Sequence, residues 1–275
     1  MVNQHLSFEF SAPRNPVETK KLLSVYKRLK VFSPEFFSVT YGAGGSTKDG
    51  TKDAVLNIQK LGSSVAPHLS FGGDTSEKIE ALLQDYQKAD IRRVVALRGD
   101  IPSGQMTKMT FASELITFIR NKTGSHFHID VAAYPETHPD SPSVESDIKF
   151  FKNKVDAGAN SAITQYFYNA DAYFRYIDKC ASHNIDIPIT PGIMPITNYN
   201  GIIRFSKNCG AEIPRWILKQ LDSYKDNPDS LKAFGLEVVT ELCSRLLEGG
   251  APGLHFYTLN QSLPSARILR NLNAQ

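Results

Sequence analysis

Short runs of apolar and β-branched residues recur along the chain, and most of them begin about thirty residues apart. The stretches between them carry apolar residues at helical spacing. This alternation predicts strands of a parallel sheet joined by helices. The predicted strands are Leu6–Phe10, Phe36–Thr40, Ser64–Leu69, Arg93–Leu97, Phe127–Ala133, Ser161–Phe167, Ile187–Thr190 and Gly253–Tyr257.

Two of the intervals carry clear helix boundary signals. Asn15–Glu18 reads N-P-V-E, which supplies an N-cap, a proline at the first helical position and a glutamate at the third. Near the other end, an apolar stripe from Leu236 to Leu247 stops at Gly249-Gly250, a C-cap signal. The interval from Pro191 to Pro252 is long enough to require more than one helix.

Polar residues stand at the carboxyl end of almost every predicted strand. A doubly wound sheet gathers such residues at one switch point, whereas a barrel spreads them around all of its strands. The pattern therefore predicts an α/β protein with a single (β/α)8 barrel over residues 1–275 and no domain boundary. The strand-end residues are Glu9, Thr40, His68, Arg98, Gly99, Asp100, Tyr134, Glu136, His138, Gln165 and Tyr257.

Composition narrows the class of protein further. The 275 residues include 31 Lys and Arg against 28 Asp and Glu, a net charge of +3, so no strongly basic balance indicates nucleic-acid binding. The three cysteines are widely separated, which is typical of thiols in a reducing compartment rather than of a disulfide framework. The sequence shows neither a signal peptide nor a long apolar span, and we expect a cytoplasmic protein away from the membrane.

Two short motifs invite a functional interpretation that their context does not support. Gly42–Thr47 is glycine-rich, but it lacks the last glycine of a dinucleotide-binding loop and the acidic residue that should follow. We interpret it as a loop that lets backbone approach a flat ligand. His126 and His128 resemble a metal pair, but they stand at the start of a strand, where a structural role is favoured over a metal site.

Glu9 carries the sharpest chemical signal. Alternation along the first strand sends Phe8 and Phe10 toward the helices and Glu9 into the mouth of the barrel. A carboxylate there is costly unless it is paired or protonated. One interpretation is an ion pair with an arginine such as Arg98, and another is a catalytic acid. Asp100, after Gly99, is open to interpretation as a helix N-cap or as a site residue.

Nine segments of the chain resemble motifs of the bacterial methylenetetrahydrofolate reductase family, and they occur in the order found in that family. They extend from the first predicted strand to the last, so the resemblance covers nearly the whole chain. The segments are Ser7–Phe10, Ser38–Thr47, Ala66–Leu69, Leu97–Asp100, Val131–Pro139, Lys154–Ala159, Ala162–Gln165, Pro191–Pro195 and His255–Asn260.

This resemblance implies an activity and its cofactors. Members of the family are FAD-containing barrels that use NADH or NADPH to convert 5,10-methylenetetrahydrofolate to 5-methyltetrahydrofolate, the methyl source for methionine synthesis. The resemblance also implies a homo-oligomer, either a tetramer or a dimer, and no metal. We expect no regulatory domain in this chain, which has no counterpart of the S-adenosylmethionine-binding domain of the eukaryotic members.

The resemblance also assigns roles to individual residues. Glu9 is the implied general acid, and a carboxyl covered by flavin and pterin retains its proton more readily because it is cut off from water. Asp100 is implied near the flavin and the pterin. The implied substrate pocket contains Glu9, Asp100, Gln165, Phe205, Tyr257 and Leu259. The implied cofactor contacts are Thr40, His68, Arg98, Gly99, Asp100, Ala112, Ala132, Tyr134, His138, Asp147 and Lys154.

One departure and two rival functions remain at this stage. Gly201 stands where some family members have a glutamine that contacts substrate or cofactor, which leaves the choice between NADH and NADPH open. A metal-dependent hydrolase or aldolase barrel would use His68, His138, His255 and Asp100. An inactive barrel kept as a binding module is the third possibility.

Overall fold

The computed structural model describes residues 5–41, 48–71, 74–99 and 111–274. All eight predicted strands are confirmed within these ranges, and the seventh is divided into two short pieces. The strands are β1 His5–Phe10, β2 Phe36–Val39, β3 Val65–Leu69, β4 Arg93–Ala96, β5 His128–Ala133, β6 Ser161–Thr164, β7 Ile189–Thr190, β8 Gly192–Ile193 and β9 Gly253–Tyr257.

The strands form one parallel sheet in the order β7-β6-β5-β4-β3-β2-β1-β9-β8. β7 pairs with β6 and β8 pairs with β9, and only Pro191 separates β7 from β8. Proline has no N–H to donate to a sheet, which explains the break in the seventh strand. Its carbonyl still accepts from the His255 N–H at 3.0 Å. The chain itself therefore closes the sheet into the predicted (β/α)8 barrel.

Ten helices of the described residues accompany the strands. They are α1 Pro16–Lys30, α2 Lys48–Lys60, α3 Ser76–Lys88, α4 Ala112–Thr123, α5 Val144–Asp156, α6 Ala170–Ser182, α7 Tyr199–Cys209, α8 Arg215–Ser223, α9 Pro228–Glu248 and α10 Leu263–Leu272. Asn15 caps α1 by accepting from the N–H groups of Val17 and Glu18, as its sequence predicts. Three helices lie between β8 and β9. Within the described ranges, no helix combines the length and the apolar character that crossing a membrane requires.

The layer between strands and helices is aromatic near β1. The rings of Phe8 and Phe10 stack on Phe37 of β2 with centroids 5.8 and 5.3 Å apart, and Tyr26 of α1 meets Phe37 edge-on at 4.9 Å. All four side chains are buried, and each contributes about 1.5–3 kcal/mol through the apolar area it removes from water. Because Phe8 and Phe10 face outward into this layer, Glu9 between them faces the barrel interior.

The amino end of the barrel interior is filled by a hydrogen-bonded ionic network. Arg93 of β4 donates to both carboxylate oxygens of Asp130 of β5, at 2.6 and 3.1 Å. Ser161 donates to Asp130 at 2.6 Å, and His128 lies 2.6 Å from the Ser161 hydroxyl. The Arg93 guanidinium also lies over the Phe36 ring at 3.8 Å. Each charged group here has a partner, as buried charges require.

Candidate active site

A cavity of about 1140 Å³ opens at the carboxyl ends of the strands. Its walls come from strand ends all around the barrel, together with the first turn of α4, α5 and part of α7. Pockets for drug-sized ligands are typically about 300–1,000 Å³. The cavity is therefore large enough for more than one small molecule.

Of the sixteen predicted site residues, fourteen line this cavity, although they come from distant parts of the chain. Asp100 and the Gly42–Thr47 loop lie outside the described residues. Leu259 does not line the cavity; it lies on the loop after β9 with 38% of its surface exposed. The fourteen are Glu9, Thr40, His68, Arg98, Gly99, Ala112, Ala132, Tyr134, His138, Asp147, Lys154, Gln165, Phe205 and Tyr257.

Glu9 faces two histidines at the base of the cavity. Its carboxylate lies 3.4 Å from Nε2 of His68 and 3.9 Å from Nε2 of His255. Both Nε2 atoms are buried, and neither forms a hydrogen bond with any described residue. Nδ1 of His255 is hydrogen-bonded to the Ser7 hydroxyl at 2.7 Å. Burial lowers the pKa of His68 despite the opposing charge of Glu9, so this ring is neutral at pH 7.

The predicted alternative of a Glu9–Arg98 ion pair is wrong. Arg98 instead donates to the carboxylate of Asp140 at 2.6 Å, on the rim of the cavity, and this contact lowers the pKa of Asp140. Both side chains are substantially exposed there. Arg98 lies two residues beyond the end of β4, where it reaches the rim rather than the base. The carboxylate of Glu9 therefore keeps an open approach from the cavity.

The backbone around Glu9 is fixed by the loop that follows β9. The hydroxyl of Thr258 donates to the Glu9 carbonyl at 2.6 Å. Asn260 then exchanges two hydrogen bonds with the backbone of Ser11, at 3.0 and 2.9 Å. These three bonds join the ends of β1 and β9 and hold Glu9 in place.

A cationic and hydroxyl-rich region forms one side of the cavity. Nζ of Lys154 is buried and donates to the carbonyl of Ala132 at 2.6 Å. Burial lowers the pKa of this amine to about 8, although the carboxylate of Asp147 acts in the opposite direction. Asp147 accepts from the Ser141 hydroxyl at 2.8 Å. A buried cation that shares a wall with a carboxylate can bind a phosphate and a ribose hydroxyl side by side.

Small residues lie where a flat group could approach the backbone. Gly99 has a φ of 77°, a conformation that strains residues with a side chain. Ala112 and Ala132 also line the cavity and present only methyl groups. These positions leave room for a planar ring.

Another part of the cavity wall is aromatic. Tyr257 donates to the Thr164 carbonyl at 2.7 Å and meets the ring of Tyr166 edge-on at 6.4 Å. Tyr166 in turn is hydrogen-bonded to the Ser206 hydroxyl at 3.0 Å, next to Phe205. The amide oxygen of Gln165 accepts from the N–H of Tyr166 at 3.0 Å. This wall offers stacking surfaces and one amide that can both donate and accept.

Tyr166 is a cavity residue that the sequence pattern misses. The predicted strand Ser161–Phe167 would alternate Gln165 inward and Tyr166 outward. The observed strand β6 ends at Thr164, so the strict alternation ends there and both side chains reach the cavity. Cys209 and Phe111 also line it without a sequence signal that singles them out.

The fold and the cavity define a (β/α)8 enzyme, because sites of such barrels are built from the loops at the carboxyl ends of the strands. The sequence profile of the methylenetetrahydrofolate reductase family matches residues 2–273. The 5,10-methylenetetrahydrofolate reductase of Escherichia coli strain K12 is 37% identical over 272 residues, covering 98% of this chain and 91% of the relative. The chain therefore belongs to the methylenetetrahydrofolate reductase family and is an oxidoreductase.

A plant relative agrees with this membership, and a solved structure agrees with the fold. Methylenetetrahydrofolate reductase (NADH) 1 of Arabidopsis thaliana is 38% identical over 282 residues, covering 97% of this chain but 48% of the longer plant protein. An uncharacterised Clostridium thermocellum protein that binds two copies of 5-methyl-5,6,7,8-tetrahydrofolic acid superposes with a TM-score of 0.70. It covers 98% of this chain and 95% of its own at 15% identity, so the likeness shows the fold alone.

Proposed function

We propose that this chain reduces 5,10-methylenetetrahydrofolate to 5-methyltetrahydrofolate, with NADH or NADPH as hydride donor and FAD as bound cofactor. The observation that carries the proposal is the carboxyl group of Glu9, which faces a cavity lined by fourteen predicted contacts of these ligands. We further propose a cytoplasmic, single-domain homo-oligomer, a dimer or tetramer, that supplies methyl groups for methionine synthesis.

The cavity residues fit FAD in four respects. Lys154 supplies a buried ammonium suited to phosphate, and Asp147 supplies a carboxylate suited to ribose hydroxyls. Gly99, with its φ of 77°, allows a ring to lie against the backbone. The unbonded Nε2 of His68 is a buried polar atom that a ligand can satisfy. Thr40, Arg98, Ala112, Ala132, Tyr134 and His138 complete the proposed contacts.

When bound, FAD supplies hydride transfer between the nicotinamide and the folate. The chain's own contribution is a proton. Opening the five-membered ring of the substrate requires protonation of the departing nitrogen, and the Glu9 carboxyl donates that proton. The remaining iminium carbon then accepts a hydride, which gives the methyl group. The bonds from Thr258 and Asn260 keep the Glu9 backbone in place during this step.

The aromatic wall orients the substrate. The Gln165 amide forms hydrogen bonds with the edge of the pterin, through its carbonyl acceptor and its NH₂ donor. Phe205 and Tyr257 give the folate and the nicotinamide faces on which to stack. Asp100 is proposed to accept from the pterin N–H groups and to favour the positively charged iminium.

A metal-dependent hydrolase finds less support than this reductase. Among the described residues, no group of three or more His, Cys, Asp or Glu side chains is placed to hold a metal ion. His138 lies on the rim, where its Nδ1 accepts from the Asp140 N–H at 3.0 Å.

The test is spectroscopic. The purified protein should be yellow, anaerobic NADH or NADPH should bleach the flavin band, and 5,10-methylenetetrahydrofolate should restore it with formation of 5-methyltetrahydrofolate. A colourless protein that cannot be loaded with FAD would contradict the proposal. A flavin that the nicotinamide reduces but the folate does not reoxidise would contradict the assigned substrate.

A further inference from the structure

Helix α7 carries Phe205 on the wall of the active-site cavity, yet few of its side chains are buried. Of its eleven residues, the buried ones are Ile202 and Ser206. Helix α6, by comparison, buries five of its thirteen residues, and none of those five is a serine. Because one of the two buried residues of α7 is a serine, the attachment of this helix depends on a polar contact as well as on apolar packing.

That polar contact is a hydrogen bond between two hydroxyl groups. The Ser206 hydroxyl lies 3.0 Å from the phenol oxygen of Tyr166, and both residues are buried. Tyr166 follows β6, so the bond joins the last turn of α7 to the carboxyl edge of the sheet. Burial raises the pKa of Tyr166, so the phenol keeps its proton near neutral pH. Removing either hydroxyl leaves the other buried without its partner.

Tyr166 is itself held firmly by its neighbours. Its ring packs against Tyr168 with centroids 5.7 Å apart and meets Tyr257 edge-on at 6.4 Å. Both neighbouring phenols donate to backbone carbonyls, that of Tyr168 to Met194 at 3.2 Å and that of Tyr257 to Thr164 at 2.7 Å. Tyr166 therefore gives α7 a fixed point of attachment on the barrel.

The Ser206 bond lies next to Phe205 in the chain. Consecutive side chains on a helix point about 100° apart, so the direction of Ser206 sets the direction of Phe205. Beyond the helix, the Glu212 N–H donates to the carboxylate of Glu136 at 2.8 Å, which ties the following loop to the loop after β5. At the amino end, Asn198 accepts from an N–H within the helix itself. The bond to Tyr166 is thus the contact best placed to control the Phe205 ring.

We propose that Tyr166 is a positioning residue, whose hydrogen bond to Ser206 fixes the orientation of α7 and holds the Phe205 ring where the reactants stack on it. This inference rests on the proposed function. Tyr166 acts through Ser206 and Phe205, and its phenol transfers no proton to the substrate. The two hydroxyl groups work as a pair, so either one alone is insufficient.

The first test removes each hydroxyl. Tyr166→Phe keeps the ring in the cavity wall, and Ser206→Ala keeps the helix. Each should raise the KM for methylenetetrahydrofolate and for the nicotinamide about 5-fold, with kcat and FAD affinity unchanged. The double variant should show no larger effect than either single variant, because both changes remove the same bond. Steady-state kinetics at pH 6 to 8 should give the same ratio throughout, since no proton transfer is involved.

The second test separates positioning from a general structural role. In a Phe205→Leu background, which lacks the aromatic face, adding Tyr166→Phe should change KM by less than about 2-fold. Tyr173→Phe is the matched control, because it removes another buried phenol, which donates to the Ile189 carbonyl at 2.8 Å from α6 and lies away from the cavity. It should lower the melting temperature without changing either KM.

Hydrogen exchange gives a readout that does not depend on turnover. The amides of α7 should exchange about 5-fold faster in the FAD-loaded Tyr166→Phe protein than in wild type, and Tyr173→Phe should leave them unchanged. Wild-type KM values in both single variants, an undiminished effect in the Phe205→Leu background, or unchanged α7 exchange would each overturn the proposal. Absence of turnover by the wild-type protein would instead contradict the proposed function, and the exchange experiment would still test the role of Tyr166.

Discussion

The two ends of the barrel interior contain similar side chains, but these differ in whether their polar atoms are hydrogen-bonded. At the amino end, Arg93, Asp130, Ser161 and His128 form a continuous set of hydrogen bonds. At the carboxyl end, Glu9 stands between His68 and His255, and the two facing Nε2 atoms have no hydrogen-bond partner among the described residues. Both ends combine histidine with a carboxylate, yet only at the amino end do the facing polar atoms all have hydrogen-bond partners among the described residues.

This difference separates structural polar groups from functional ones. More than about 90% of buried polar groups in folded proteins are hydrogen-bonded, and an unsatisfied one costs about 1–3 kcal/mol. The amino end follows that rule, and its role is to close the base of the barrel. The carboxyl end departs from it where the two Nε2 atoms face a large cavity, and a bound ligand can supply the hydrogen bonds that they lack.

Replacing Glu9 should have the largest effect on catalysis. Glu9→Gln keeps the size of the side chain but removes the proton that it donates. We expect the folate-dependent reoxidation of flavin to slow by about 10²–10⁴-fold. FAD binding and reduction by the nicotinamide should be preserved. Anaerobic stopped-flow spectroscopy of the two half-reactions measures both, and folate reduction at the wild-type rate would contradict the assignment.

Replacing Asp130 should affect stability instead of catalysis. Asp130→Asn removes the bidentate carboxylate of the largely buried Arg93 guanidinium, which keeps its pair with Glu35, so the loss should be at most about 3–5 kcal/mol, the cost of a fully broken buried pair. Asp156→Asn, which removes an exposed pair with Lys152, should cost less than about 0.5 kcal/mol. Urea unfolding measures the free energy of unfolding. A drop in kcat at unchanged stability would show that the amino end is not merely structural.

The sequence predicts the barrel well because its signals are local. Each strand is an apolar run, the α1 cap is set by Asn15 and Pro16, and the inward direction of Glu9 follows from alternation with Phe8 and Phe10. These features depend on neighbours within a few positions. The break at Pro191 is equally local, but its effect on the seventh strand appears only when β6 and β9 are both in place.

Contacts between distant segments could not be predicted in the same way. Arg98 pairs with Asp140 rather than with Glu9, since the choice depends on where the loops after β4 and β5 meet. The early end of β6 brings Tyr166 into the cavity, and no residue pattern marks that end. Leu259 lies beyond the cavity because the loop after β9 turns there, with a φ of 48°.

Lys154 should make both the stability of the ligand-free protein and its affinity for FAD depend on pH. Burial lowers its pKa from the ordinary 10.5 to about 8. Between these two values the unfolded chain binds more protons, so stability of the ligand-free protein should rise with pH across that window. A phosphate ligand favours the ammonium form, so FAD affinity should fall up to about 10-fold per pH unit above pH 8. Fluorescence titration from pH 7 to 9 measures this change, and Lys154→Met should show weaker binding with a flatter profile. An unchanged slope in the variant would contradict the role of Lys154.

The smallest effects come from exchanging one histidine at each end. His128→Asn removes the hydrogen bond to Ser161 and should lower stability by about 1 kcal/mol, with FAD affinity unchanged. Nε2 of His68 forms no hydrogen bond within the described residues, and we propose that it contacts FAD. His68→Asn should therefore weaken FAD binding about 10-fold, or about 1.4 kcal/mol. Thermal unfolding and FAD dissociation measure the two quantities on the same samples. If both variants weakened FAD binding equally, the hydrogen-bonding state of the histidine would not distinguish the two ends of this barrel.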